Sequence, residues 1–457
     1  MDLKRTLSWV DSASLMVTSI IGSGIFFTTG FLLNDLSSPI GVLICWILGG
    51  IFALSGALTF SYPAVLFPRA GGDYIYLKEA FSPVLAFMSG WSALLANLSA
   101  NIAVLAIAFS DHILLLFPGW KEIINFHYTF LGFNLEFGSK QLIGFCLILF
   151  FTILNIRGIK QAVKVQNFIT FIKIGGLLLF IFLGFTFGNK DFSNLGSGEI
   201  TPKGIALGMV PVTFSYLGWN MITYLAGEVK DPEKNIPLSI VVSCVFTIFI
   251  YLSINLLYLV SAPVSSLKGE EGIGVVSATF LFGDWIKPIF TIFILWMVAG
   301  SLSSILMGAS RVYYAMAKDG LFFRSLADLH PVYHTPYKSI LFQGGYASLL
   351  LIFGNIKSLI FMITCAVFLL STITALTVFK LNKKQADVSY KIPLYPLPPI
   401  LFSIGNLILI FYLTYESWEN TIWGLGISLS GIPIYFLFKK IKIIDLVNFF
   451  RLIKIEE

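Results

Sequence analysis

Charge is scarce in this chain: only 12% of its 457 residues are Asp, Glu, Lys or Arg, about half the share of a typical soluble domain. Polar stretches long enough to build a water-soluble domain are missing too, although the length alone would allow about three of them. Cysteines are few, and Cys45, Cys146, Cys244 and Cys365 all fall inside apolar runs. None is placed for a disulfide in an extracellular loop, and the redox compartment stays unread. The histidines His112, His127, His330 and His334 sit in loops or near a helix end, so no membrane-embedded metal site or histidine relay is formed and no cofactor is implied. This counts against an enzyme. A net charge of +6 could point to nucleic acid, but the basic residues lie mostly in short loops between apolar runs, which is how membrane orientation is encoded. Nucleic acid is excluded as a partner.

What is present is apolar: 57% hydrophobic residues and 16% aromatic, with a mean hydropathy of +0.86. A backbone crossing a bilayer satisfies its hydrogen bonds internally, as helices or as a closed barrel, and these runs are continuous rather than alternating. The expectation is an all-α polytopic membrane protein, a single transmembrane domain over residues 1–457 whose solvent is the lipid bilayer. At about 20 residues per span, twelve helices are predicted, roughly at 10–33, 39–67, 83–117, 141–155, 165–187, 204–226, 236–261, 285–315, 336–353, 359–379, 399–415 and 422–438. The first is too long for a signal peptide and lacks a small-residue cleavage site, so it is expected to be retained. Lys and Arg gather on the loops that share a side with the N-terminus, which predicts that both termini are cytoplasmic.

Two spans are interrupted by glycine and small polar residues at mid-depth. The first carries IIGSGIF (Ile20 to Phe26) and the sixth TFSYLGWN (Thr213 to Asn220). Gly-interrupted spans in corresponding positions of two halves point to an inverted repeat with a binding site at the bilayer midplane. Helices 1 to 5 (10–187) and 6 to 10 (204–380) would be the repeats, followed by two C-terminal helices (397–438). A lone glycine-rich helix merely packs closely; the matched pair argues for a site. At Gly22, Ser23 and Gly24 the backbone can unwind and aim N–H groups at a carboxylate from the positive end of a helix dipole. The carbonyls near Ile20, and those of Phe214 to Leu217, suit an ammonium group. A zwitterionic α-amino acid satisfies both.

Lys173 is placed inside the fifth span, where a charge costs about 2.5–3.5 kcal/mol on insertion scales. Either it snorkels to the interface or it is a fixed cation between helices, with the carbonyls of the first break and the hydroxyls of Ser303 and Ser304 as its expected partners. Asn97 and Asn101 share a helix face, either as packing contacts or as a vestibule lining. Ser215, Trp219 and Asn220 are further pocket candidates, and Phe214 is either a gate or plain core. No acidic residue is placed at mid-depth, which disfavours a basic substrate side chain.

These motifs, together with FPRAGGDYIYLKEAF (Phe67 to Phe81), VQNFITFIK (ending at Lys173), FSYLGWNMITYLAGEVKDPEKNIPLSI (Phe214 to Ile240), SRVYYAMAKDG (Ser310 to Gly320) and LSGIPIYF (Leu429 to Phe436), resemble the amino acid–polyamine–organocation superfamily. Within it the chain is similar to the L-type amino acid transporters, over nearly its whole length. The resemblance implies the five-plus-five inverted-repeat fold with two added helices, and sodium-independent exchange of neutral L-amino acids by alternating access. It implies carboxylate binding at Ser23 and Gly24, amine binding at the carbonyls of Ile20, Phe214 and Leu217, an aromatic gate at Phe214, and a lysine in place of a sodium ion at Lys173. Leu217 stands where several relatives have glycine, which narrows the side-chain pocket. No cysteine lies between the third and fourth spans, where animal members link to an ancillary glycoprotein, so a stand-alone protein of a bacterial inner membrane is expected. Two other readings stay open: a proton-coupled amino acid symporter using Lys173, and a membrane sensor or enzyme on the same fold.

Overall fold

The computed structural model describes residues 3–130, 133–270, 272–353, 356–382, 390–416 and 418–453. In chain order its helices are α1 (Trp9–Ile20), α2 (Thr28–Leu36), α3 (Pro39–Leu66), α4 (Asp73–Ala80), α5 (Pro83–Ser92), α6 (Leu98–Leu116), α7 (Ser139–Ile156), α8 (Ile159–Phe187), α9 (Pro202–Ser215), α10 (Met221–Tyr224), α11 (Pro232–Ser261), α12 (Val264–Leu267), α13 (Ile273–Phe282), α14 (Ile286–Lys318), α15 (Tyr337–Phe353), α16 (Ile356–Asn382), α17 (Leu397–Glu416) and α18 (Trp418–Ile453). Among the described residues, eight helical stretches are long and apolar enough to cross a membrane. The chain is a multi-pass membrane protein.

Helix starts follow local chemistry. Ser38, Ser82 and Thr201 cap α3, α5 and α9, each followed by proline at the first helical position, where a missing N–H costs nothing. At α1, Ser8 and Asp11 form a reciprocal capping box, and the second oxygen of Asp11 accepts from Asn167 of α8 at 2.7 Å.

Both glycine-marked spans are broken where the sequence predicts. The first divides into α1 and α2 around a short 3-10 turn, Gly24–Phe26. The sixth divides into α9 and α10 around a non-helical turn that includes Gly218, whose φ of +107° is a conformation other residues rarely adopt. The third span holds a π-helical segment, Ala93–Asn97, between α5 and α6; such segments concentrate at functional sites. Several elements lie outside the sequence expectation, the short α12 among them. Others are the short α4, the apolar α13, and a two-stranded antiparallel ribbon in the loop before α7, pairing Asn125 with Gly138 and Phe130 with Phe133.

The broken helices lie at the centre. α1 packs against α8, α11 and α14, while α9 packs against α2 and α3. Trp46 of α3 donates its indole N–H to Thr29 of α2 at 3.0 Å, Thr29 in turn bonds Asn255 of α11, and Tyr216 donates to the Trp46 carbonyl at 3.1 Å. Polar side chains in this interior are bonded to one another rather than to solvent, as burial requires.

Candidate functional site

The two breaks meet. A Cβ at Gly218 would lie 2.6 Å from the Ser19 hydroxyl oxygen and 2.8 Å from the Ser19 carbonyl, and one at Gly24 would lie 2.6 Å from the Ser215 hydroxyl oxygen. Each glycine thus presses onto the opposite broken helix. The Tyr251 hydroxyl of α11 sits between them, 2.9 Å from the Ile20 carbonyl and 3.0 Å from that of Ser215.

At the first break, the N–H groups of Ser23, Gly24 and Ile25 donate to no acceptor among the described residues. They are the free donors expected at the start of a half-helix. The carbonyls assigned to the amine differ among themselves. Ile20 is engaged by Tyr251 and by the Gly22 N–H at 2.8 Å, and Phe214 by the Leu217 N–H at 3.0 Å. The Leu217 carbonyl accepts no backbone N–H among the described residues.

Lys173 is fully buried. Its ammonium donates to the carbonyls of Thr18 (3.0 Å) and Ile21 (2.7 Å) and to the Ser301 hydroxyl (3.1 Å). The expected carbonyls of the first break are therefore its partners, and the snorkelling alternative is overturned. The expected hydroxyls are not. Ser304 donates to the Leu15 carbonyl at 3.1 Å, and Ser303 is buried without a partner. The helical period explains the correction: Ser303 lies about 200° around α14 from Ser301, and Ser304 meets α1 one turn earlier. Ser301 also reaches the Thr18 carbonyl at 2.8 Å, so α8, α1 and α14 share one bonded junction. A second buried cation sits on α14: Arg311, which falls inside the eighth predicted span, pairs with Glu228 at 2.8 Å.

A cavity runs from Ser19 and Gly218 to the α4 end of the molecule. Asn97, Asn101, Leu217, Trp219 and Asn220 line it, so both asparagines of the third span face a cavity. Gly22, Ser23, Gly24, Ser215 and Phe214 do not line it. Ser215 is already bonded to Thr28 at 2.7 Å, and Phe214 packs with Leu217 against Ala100 and Val104 of α6. Trp219 meets Phe60 edge-on at 4.9 Å between ring centroids, so it also serves the core.

Among the described residues Asp73 is the only carboxylate on the cavity, at its α4 end. Gly71 and Gly72, both with positive φ, let the first turn of α4 press onto α10: a Cβ on Gly72 would fall 2.4 Å from the Tyr224 ring. Burial pushes the Asp73 carboxyl up to about 7. Its Oδ2 accepts from the Tyr224 hydroxyl at 3.2 Å, while Oδ1 is buried with no partner. Sequence reasoning missed Tyr251, Ser301 and Asp73. Only the Gly-Gly pair before Asp73 carried a signal, a backbone forced into close approach.

Comparison with known proteins identifies the family. A family model described as amino acid permease matches residues 7–436. The chain is 30% identical over 451 residues to the large neutral amino acids transporter small subunit 2 of Mus musculus, covering 95% of this chain and 81% of that one. It is 29% identical to the serine/threonine exchanger SteT of Bacillus subtilis (strain 168), covering 96% and 98%. It is also 29% identical to the b(0,+)-type amino acid transporter 1 of Mus musculus, covering 95% and 88%. A multi-pass helical chain with two broken helices meeting at its centre, matched over nearly its whole length, belongs to the amino acid permease family of the amino acid–polyamine–organocation superfamily.

Proposed function

We propose that this protein exchanges neutral L-amino acids across a plasma membrane by alternating access, without sodium. The observation that carries the reading is the set of unpaired N–H groups at Ser23, Gly24 and Ile25, one helix break away from the free carbonyl of Leu217. Donors for a carboxylate and acceptors for an ammonium, with no buried side-chain charge aimed at either, match a zwitterion. In this reading Gly22, Ser23 and Gly24 take the carboxylate; Ile20, Phe214 and Leu217 take the amine as the breaks rearrange; Phe214 is the gate. Leu217 on the cavity wall supports a small or medium side chain.

Lys173 acts as the fixed cation, tying α1 to α14 through Ser301, where a sodium ion would otherwise be needed. Counting each broken pair as one crossing, and adding α15 and α16 to the long apolar helices, supports twelve crossings; the proposal takes the repeats as 10–187 and 204–380 and both termini as cytoplasmic. Exchange is also what the name of the Bacillus subtilis relative states of that protein. The chain would act alone, without a disulfide-linked subunit, in a bacterial inner membrane.

One observation favours a second reading, proton symport: Lys173 has only neutral acceptors around it and could release its proton. Proteoliposomes separate the two. Internal serine should accelerate uptake of labelled serine with no sodium present. Uptake driven by an imposed pH gradient, with no acceleration by internal serine, would replace exchange with symport.

A further inference from the structure

We propose that Asp73 is a positioning residue that sets the orientation of the Asn220 amide through Tyr224, so that an oxygen faces the ammonium group of the substrate. The inference rests on the amino acid exchange reading above.

The chain of bonds has a direction. In its ionised form the Asp73 carboxylate only accepts, and the single Tyr224 proton then goes to Asp73 Oδ2 at 3.2 Å. The Tyr224 oxygen can then only accept, and it does so from Asn220 Nδ2, also at 3.2 Å. With its NH2 group committed to Tyr224, the Asn220 amide must turn its Oδ1 the other way. That oxygen accepts nothing among the described residues, and Asn220 and Asp73 line the same cavity. A carbonyl oxygen left open in this way selects a donor, and an ammonium group is the strongest available.

A plain brace between α4 and α10 would not need a carboxylate. An asparagine at 73 would bond Tyr224 equally well, but in either polarity. The carboxylate is kept at a cost: among the described residues one oxygen is buried without a partner and no Lys or Arg lines the cavity, and burial disfavours its charged form. Neighbouring cations are committed elsewhere, Lys78 to Asp319 at 2.7 Å and Arg311 to Glu228. What the acceptor-only group contributes is polarity, passed along two hydrogen bonds.

The test is serine exchange in proteoliposomes, measured as half-saturation and as maximal rate. Asp73→Asn should raise the half-saturation concentration about tenfold, with the maximal rate within about twofold, a split that isolates binding. Adding Asn220→Asp to that variant should restore half-saturation to within about threefold, because a carboxylate at 220 has no donor end to turn inward. Tyr224→Phe cuts the chain, so it should weaken binding as much as Asp73→Asn, and the two together no more than either. Unchanged half-saturation in Asp73→Asn, a loss confined to maximal rate, or no rescue by Asn220→Asp would each overturn the proposal. Absence of serine exchange in the unmodified protein would instead remove the transport reading itself.

Discussion

The ammonium of Lys173 lies 2.7 Å from the carbonyl oxygen of Ile21, the residue at which α1 ends and the first break begins. A buried charge is thereby anchored to the very backbone that must move if the site opens and closes. Charge-assisted hydrogen bonds are worth about 1.5–3 kcal/mol each. Lys173→Ala should therefore reduce exchange at least about tenfold while the protein still inserts. Near-normal exchange kinetics in a well-folded variant, or a sodium requirement in the unmodified protein, would contradict this assignment.

The serines of α14 give a sharper version of the same test. Ser301→Ala removes a hydroxyl that reaches Lys173 and the carbonyls of Thr18 and Ile21. It should slow exchange several-fold, by loss of bonds worth about 1 kcal/mol each. Ser303→Ala removes a hydroxyl that bonds nothing and should leave exchange rates within about twofold. The comparison is a single uptake assay on two purified variants; equal effects would refute the junction.

Glycine at 24 and glycine at 22 should behave differently. A Cβ at Gly24 meets Ser215 at 2.6 to 3.1 Å, side chain and backbone alike, whereas one at Gly22 meets nothing nearer than 3.5 Å. Gly24→Ala should drive the breaks apart and abolish serine binding, and Gly22→Ala should retain it to within a few-fold. Binding measured by ligand-dependent thermal stabilisation separates the two, and a tolerant Gly24→Ala would make that contact incidental.

The Arg311 and Glu228 pair is a stability element. Both side chains are almost fully buried, 1% and 2% exposed, and the Glu228 carbonyl also holds the N–H groups of Thr6 and Leu7 at 2.8 and 2.9 Å. Removing one partner of a buried ion pair costs about 3–5 kcal/mol. Arg311→Met should lower the melting temperature in detergent by many degrees, and Arg311→Met combined with Glu228→Met should recover part of the loss. A double variant less stable than the single one would show that the pair is not the cause.

How much of this could be read from the sequence depends on the kind of signal each residue leaves. The breaks were legible because glycines flanking small polar residues are conspicuous in an apolar run, and because two such places fall at corresponding positions. Lys173 was legible because a charge among VQNFITFIK demands compensation. Its partner on α14 was not, since neighbouring serines differ only in which way a helix of unknown rotation turns them. Tyr251 left no trace among 18 tyrosines; its role comes from sitting opposite two carbonyls, a fact of packing. Arg311 left no signal because it lies near the predicted end of the eighth span, whereas α14 runs on to Lys318 and buries it. Asp73 sat in a connection, and only the fold carries that connection to the cavity wall.

The Tyr251 hydroxyl has one proton and two carbonyls within reach, Ile20 on one broken helix and Ser215 on the other. When it turns to Ile20, which also accepts from the Gly22 N–H, the Ser215 carbonyl is left without a donor among the described residues. An empty carrier that reoriented would have to carry this deficit, and the unused N–H groups at Ser23, Gly24 and Ile25, through the intermediate in which the site is sealed from water on both sides. An amino acid supplies three ammonium protons and two carboxylate oxygens and cancels both shortfalls at once. In the exchange reading proposed above, no separate locking device is needed: the unloaded site returns slowly because its hydrogen-bond count does not close.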